Sequence, residues 1–114
     1  MISKTDERIL SMMLEKCDRL CEICNSHTDE EIEENYLFSD TIQFEFEKLY
    51  EDMTRLSTEF RMSHKELHID DMRGIRNRVA HNYESVSLKI LIDTARSDIP
   101  NLKEALANII KKAA

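Results

Sequence analysis

Turn-forming residues are nearly absent from this sequence. Its 114 residues include one glycine, one proline and no tryptophan. An all-β domain must reverse direction every roughly 8–12 residues, and Gly and Pro make most of those reversals. The scarcity excludes a sandwich or barrel and leaves a chain of helices. Long apolar runs are missing too. None approaches the roughly 18 residues that span a bilayer, so no membrane partner is expected. The opening "MISKTDERIL" carries charge where a secretory signal needs its apolar core. Cysteine is scarce and odd in number: three residues, so pairing within the chain would leave one over. A reducing compartment suits that better than a secreted one. The expectation is a cytoplasmic protein of one domain, residues 1–114.

Cys17, Cys21 and Cys24 have the spacing of the cluster-binding cysteines of radical SAM enzymes. Those enzymes need the cysteines on a loop of a much larger barrel. Here they sit at i, i+4 and i+7 of a helical pattern, on one face with Met13, Leu14 and Leu20. That placement predicts buried, reduced thiols acting as small apolar side chains.

What is present favours helix: six methionines, with many Leu, Ile, Glu and Lys. The first helix is expected from about Thr5 to Asn25, with Thr5 as its cap and Asp6 and Glu7 in its first turn. "TDEE" at 28–31 is a capping box, predicting a short acidic helix to about Asn35. A third helix should start near Ser39 or Asp40, with Phe38 stapling its start, and run to about Phe60. Its buried stripe is Ile42, Phe46, Leu49, Met53 and Leu56. A fourth covers about Glu66 to Asn82, with Ile69, Met72, Ile75 and Val79 on its core side. A fifth, capped by Ser85 or Ser87, should run to about Arg96 and break at "DIP". A last helix then spans Pro100 to about Lys112, since proline favours a first turn. Short connections between such helices predict an all-α, up-and-down bundle of five to six helices.

Charge of one sign is concentrated. The formal charge is −7, but residues 1–72 carry 8 basic and 19 acidic side chains, while residues 73–114 carry 8 and 4. The last third is therefore basic, and "RNRVAHNY" at 76–83 opens it. Phosphate responds to local potential within about 8–10 Å, so an acidic chain can still bind it there.

On a helix of 100° per residue, Arg73, Arg76, Asn77, His81 and Tyr83 fall on one polar stripe beside the core, with small Ala80 in its middle. Arg76 and His81 nevertheless lie about 140° apart, too far to touch within one regular helix. Either the helix unwinds near His81, or a second copy supplies the partner across a twofold axis.

The residue types are suited to RNA. Arginine's planar fork grips phosphate and stabilises charge developing on it. Histidine titrates near neutrality, so it can take a proton from a ribose 2′-OH or give one to a leaving oxygen. Asparagine positions without charge. Arg plus His can thus cleave RNA without a metal: the 2′-OH attacks its own phosphate and leaves a cyclic phosphate end. The plainer alternative is that Arg76 and Arg78 solvate a helix and His81 caps its C-terminus. His64 and His68, at i and i+4, are a further pair able to chelate a metal, but no third ligand has suitable spacing. No metal site is expected, and Asp70 and Asp71 read as solvated.

The stretch "RNRVAHNY" resembles the Arg-x4-His-x-Tyr motif of HepT-like toxins, in the HEPN superfamily. Arg76, Asn77, His81 and Tyr83 fall on motif positions. "MRGIRN" resembles the family's lead-in. "IQFEFEKLYEDMTRLSTEF" resembles its preceding helix, with Glu51 at the habitual Glu, and "ILIDTARSDIPNLKEAL" its closing segment. The resemblance implies a HEPN-like bundle dimerising through the motif helix. It implies a metal-independent endoribonuclease, part of a toxin–antitoxin pair, with catalytic Arg76 and His81 from both chains in one cleft. Asn77 and Arg73 would position substrate, and Glu51 would support. It also implies a partner, an MNT-type nucleotidyltransferase antitoxin that uses ATP and Mg²⁺ to AMPylate the motif tyrosine, here Tyr83. The ribonuclease itself would need no cofactor. One segment departs from the family: "HKELHIDDMRG" has two Asp and no Pro where the family often has Trp in a proline-containing loop. The alternative within the superfamily is a non-catalytic companion that binds nucleotide or substrate for a nucleotidyltransferase.

Overall fold

A computed structural model describes residues 2–69 and 85–113 of the chain. The described residues form five α-helices and one 3-10 turn, with no strand among them. The helices are α1 (Lys4–Ser26), α2 (Asp29–Glu34), α3 (Tyr36–Arg55), α4 (Thr58–Ser63) and α5 (Ser85–Ala113), and the 3-10 turn, Lys65–Leu67, follows α4.

α1 packs against both α5 and α3. Polar contacts along its flanks give the directions. Asp6, Lys16 and Arg19 meet Ser57, Asp52 and Glu45 in turn, so α3 runs antiparallel to α1. Cys24 and Asp18 meet Arg96 and Lys103, so α5 is antiparallel to α1 as well. This is the up-and-down all-α bundle that the periodicity predicts.

The core follows the stripes read from sequence. Ile9, Leu10, Met13, Leu20 and the three cysteines are buried on α1, and Ile42, Phe46, Leu49 and Met53 on α3. The cysteines are free, and burial pushes the Cys17 thiol up to about 12 and the Cys24 thiol to about 11. At neutral pH they are protonated apolar fillers, poor nucleophiles and poor metal ligands.

Helix ends depart from expectation where side chains from elsewhere decide them. Ser3, not Thr5, caps α1: its hydroxyl accepts the Asp6 amide at 3.0 Å. The capping box at Thr28 and Glu31 forms as expected. α3 begins at Tyr36 rather than at Ser39 or Asp40, because the Asn35 side chain accepts the Leu37 amide at 3.0 Å. Phe38 therefore lies inside the helix, stacked on His27.

α3 stops at Arg55 instead of continuing to Phe60. The cause is Asp6, 51 residues away, whose carboxylate accepts the Ser57 amide at 2.9 Å and the Ser57 hydroxyl at 2.6 Å. Ser57 in turn caps α4, accepting the Phe60 amide at 3.1 Å. One buried carboxylate thus ties the N-termini of two helices, where the dipoles favour negative charge. Burial raises the Asp6 pKa, but the hydrogen bonds from Ser57 outweigh it and hold the carboxyl below its ordinary value. A depressed pKa stabilises the fold above the unfolded value, near 4, and that contribution is lost as pH falls through the folded one. Asp6→Asn should cost about 1–3 kcal/mol at pH 7 and flatten the acid arm of stability against pH, measured by urea unfolding between pH 2 and 7.

The expected helix does not start at Glu66 but by Ile69, which is helical. Glu66 lies in the 3-10 turn, and His68 closes that turn with left-handed backbone, φ 53°. The remainder of that expected helix, with Met72, Ile75 and Val79, lies outside the described residues.

Nor does the chain break at "DIP". α5 is one helix with Pro100 inside it. Proline cannot donate to the Arg96 carbonyl, a loss of roughly 3 kcal/mol within a helix. Leu91, Ala95, Ile99, Leu102 and Leu106 offset it, each buried on a single continuous face. Keeping that face against α1 outweighs one missing hydrogen bond.

Candidate functional site

Arg73, Arg76, Asn77, His81 and Tyr83 all fall in residues 70–84, outside the described residues. Their mutual geometry, including the about 140° mismatch of Arg76 and His81, is therefore unaddressed by the structure. What the structure gives is the frame on either side. Ile69 before the stretch and Leu88 after it are both core residues.

Glu51 is described. It lies on α3, half-exposed, 3.3 Å from the Lys48 ammonium. Leu37 and Phe44 precede it at seven-residue steps, so the three share the solvent face of α3. Leu37 and Phe44 are 59% and 54% exposed, and Lys48 reaches over the Phe44 ring. Glu51 is thus part of an accessible amphipathic stripe opposite the α3 core.

His64 and His68 do not share a helix. His64 ends α4, stacks on Phe60, and places Nδ1 3.1 Å from the Phe60 carbonyl. Its partner lies beyond the 3-10 turn, in left-handed backbone. The i, i+4 register that chelation would use is broken. Among the described residues no three His, Cys, Asp or Glu groups converge as a metal site.

Two features were not anticipated. Arg96 reaches from α5 to the end of α1, where its guanidinium donates to the Cys24 and His27 carbonyls at 3.0–3.3 Å and pairs with Asp29. α1 has no basic residue in its last turn, and Arg96 supplies that cation from 72 residues away. The second is a pocket of about 430 Å³ lined by Thr58, Arg61, Met62, His64, Lys65, His68 and Ile69. It abuts the residue that leads into the motif. The pattern "RMSHKELH" carries it, with Arg61–Lys65 and His64–His68 each four apart. Reading only the histidines, as metal ligands, hides the cationic character of the set.

An antiparallel all-α bundle with these termini and a basic Arg-x4-His-x-Tyr stretch defines a class of small helical domains. A family model described as "Ribonuclease HepT-like" matches residues 13–109. The chain belongs to the HepT-like ribonuclease family, and the resemblance carried by the motif and its flanks holds. A protein of Caldanaerobacter subterraneus subsp. tengcongensis named "Putative RNase TTE0752" is 25% identical over 109 residues, covering 96% of this chain and 97% of that protein. No solved structure matches. None of the described helices is long and apolar enough to cross a membrane.

Proposed function

We propose that the protein is the toxin of a toxin–antitoxin pair, a metal-independent endoribonuclease whose cleft is shared by two copies. The observation that carries this reading is the family match over residues 13–109, which includes all of "RNRVAHNY". The chemistry assigned to the stretch is internal transesterification. The 2′-OH of a ribose attacks the adjacent phosphorus, the 5′-oxygen leaves, and the ends are a 2′,3′-cyclic phosphate and a 5′-hydroxyl. His81 takes the 2′-OH proton or delivers one to the leaving oxygen, and Arg76 neutralises the charge that grows on the phosphoryl oxygens. Arg76 of one copy works with His81 of the other, which removes the need for the two to meet within one chain. Asn77 and Arg73 hold the strand, and Glu51 supports the cleft.

The test is cleavage of varied RNAs by purified protein in EDTA. Degradation with cyclic phosphate ends supports the reading, and an inert wild type sinks it. A second reading, a non-catalytic companion of a nucleotidyltransferase, is favoured by the excess of 19 acidic over 8 basic side chains in residues 1–72, which suits a protein partner. It wins if the inert protein still binds such an enzyme.

Regulation is assigned to Tyr83, seven residues after Arg76. An MNT-type nucleotidyltransferase with ATP and Mg²⁺ would join AMP to the phenol oxygen and release pyrophosphate. The adduct brings bulk and negative charge into a phosphate site. With that enzyme and ATP, intact mass should rise by whole AMP units, and Tyr83→Phe should not change. An adduct that persists in Tyr83→Phe overturns the assignment.

A further inference from the structure

The pocket beside the 3-10 turn gathers basic side chains in an acidic protein. Arg61 and His64 come from the end of α4, Lys65 and His68 from the turn, and Thr58 adds a hydroxyl. None of its described lining residues is a carboxylate. Glu59, one of the nearest carboxylates in sequence, lines a neighbouring cavity instead. The chain as a whole has 23 acidic and 16 basic side chains, so a described lining with Arg61 and Lys65 and no carboxylate is a local reversal of its charge.

A second observation concerns Arg61 itself. Among the described residues its terminal nitrogen reaches only the Thr58 hydroxyl, at 3.5 Å, and its Nε is buried without a hydrogen-bond partner. A buried donor left unmatched is costly and calls for an acceptor. The guanidinium fork, an ammonium and a hydroxyl together suit a tetrahedral oxyanion. The pocket is also too large for a bare inorganic ion and has an apolar side, Met62 and Ile69, on which a sugar or base can lie.

We infer that Arg61, Lys65 and Thr58 form a phosphate-binding subsite for single-stranded RNA, flanked by His64 and His68 and separate in sequence from Arg76 and His81. The source of the phosphate rests on the ribonuclease reading. The subsite holds a backbone phosphodiester some nucleotides from the scissile bond, and so governs the footprint and affinity rather than the chemistry.

The experiment is binding of a 2′-O-methyl oligoribonucleotide, which cannot be cleaved, followed by anisotropy over a range of salt. Arg61→Ala/Lys65→Ala should weaken binding about tenfold at low salt and reduce the slope of log K against log salt by about 1.4, for two lost single-strand contacts. Lys65 is exposed and Arg61 is partly buried, so an unchanged thermal midpoint checks the fold. A control pair on the last turn of α5, Lys111→Ala/Lys112→Ala, should change binding far less. Wild-type affinity in the Arg61/Lys65 variant, or an equal loss in the control pair, overturns the subsite. Binding confined to ATP or AMP also overturns it, since the phosphate would then come from a free nucleotide. The two readings separate cleanly. A protein that binds the strand through Arg61 and Lys65 but cleaves nothing sinks the ribonuclease and keeps the subsite. One that cleaves through His81 with strand affinity unmoved by the pair does the reverse.

Discussion

His81→Ala is expected to slow RNA cleavage in EDTA by about 10²–10⁴-fold, the usual worth of a positioned general acid or base. Affinity for an uncleavable strand should change little, because the imidazole contributes mainly in the transition state. Arg76→Ala should be comparably damaging and should also weaken binding, since its charge contacts phosphate in the ground state as well. The decisive measurement mixes the two variants. If Arg76 of one copy serves His81 of the other, a dimer of one Arg76→Ala chain and one His81→Ala chain contains one intact pair and one empty one. Mixed dimers should then regain a sizeable fraction of wild-type activity, while each pure variant stays inactive. If Arg76 and His81 instead act within one chain, mixing restores nothing. A protein that is monomeric at micromolar concentration while cleaving RNA would also remove the shared cleft.

Some of this protein is written locally in the sequence, and some is not. The buried faces of α1 and α3 follow from spacing alone, because a helix must hide its apolar stripe wherever it packs. The Thr28–Glu31 box is legible for the same reason: both partners lie within one turn. The errors fall where a distant side chain decides. Nothing near Phe60 announces that α3 stops early, since the group that stops it is Asp6, 51 positions upstream. Pro100 reads as a helix start on local grounds. Only the unbroken burial of Leu91, Ala95, Ile99 and Leu102 against α1 explains why the helix runs through it. Arg96 looks like a surface residue until the end of α1 is placed beside it. The motif is the opposite case. Its residue types and order are fully legible, and its function reading rests on them and on the family match over residues 13–109, while its side-chain geometry lies outside the described residues.

The largest stability effect is expected at Asp52. Its carboxylate meets the Lys16 ammonium at 2.8 Å, and the two side chains are only 5% and 13% exposed. Removing one member of a pair this far from water strands the other, which typically costs about 3–5 kcal/mol. Asp52→Ala should therefore lower the thermal midpoint by roughly 10–20 °C in a domain of this size. The pair Arg19–Glu45, one step along the same flank, makes a contrast. The Arg19 side chain is 51% exposed, so Arg19→Ala leaves Glu45 with access to water and should cost no more than about 1 kcal/mol. The attraction between Lys16 and Asp52 is not in itself the source of stability, because desolvating both charges cancels much of it. The double variant Lys16→Met/Asp52→Leu tests that point. It fills both positions with apolar side chains, removes both charges, and should be far closer to wild type than either single change. If Asp52→Ala unfolds at nearly the wild-type temperature, the pair is effectively solvated. If the double variant is as unstable as the single ones, the pair stabilises the α1–α3 contact outright.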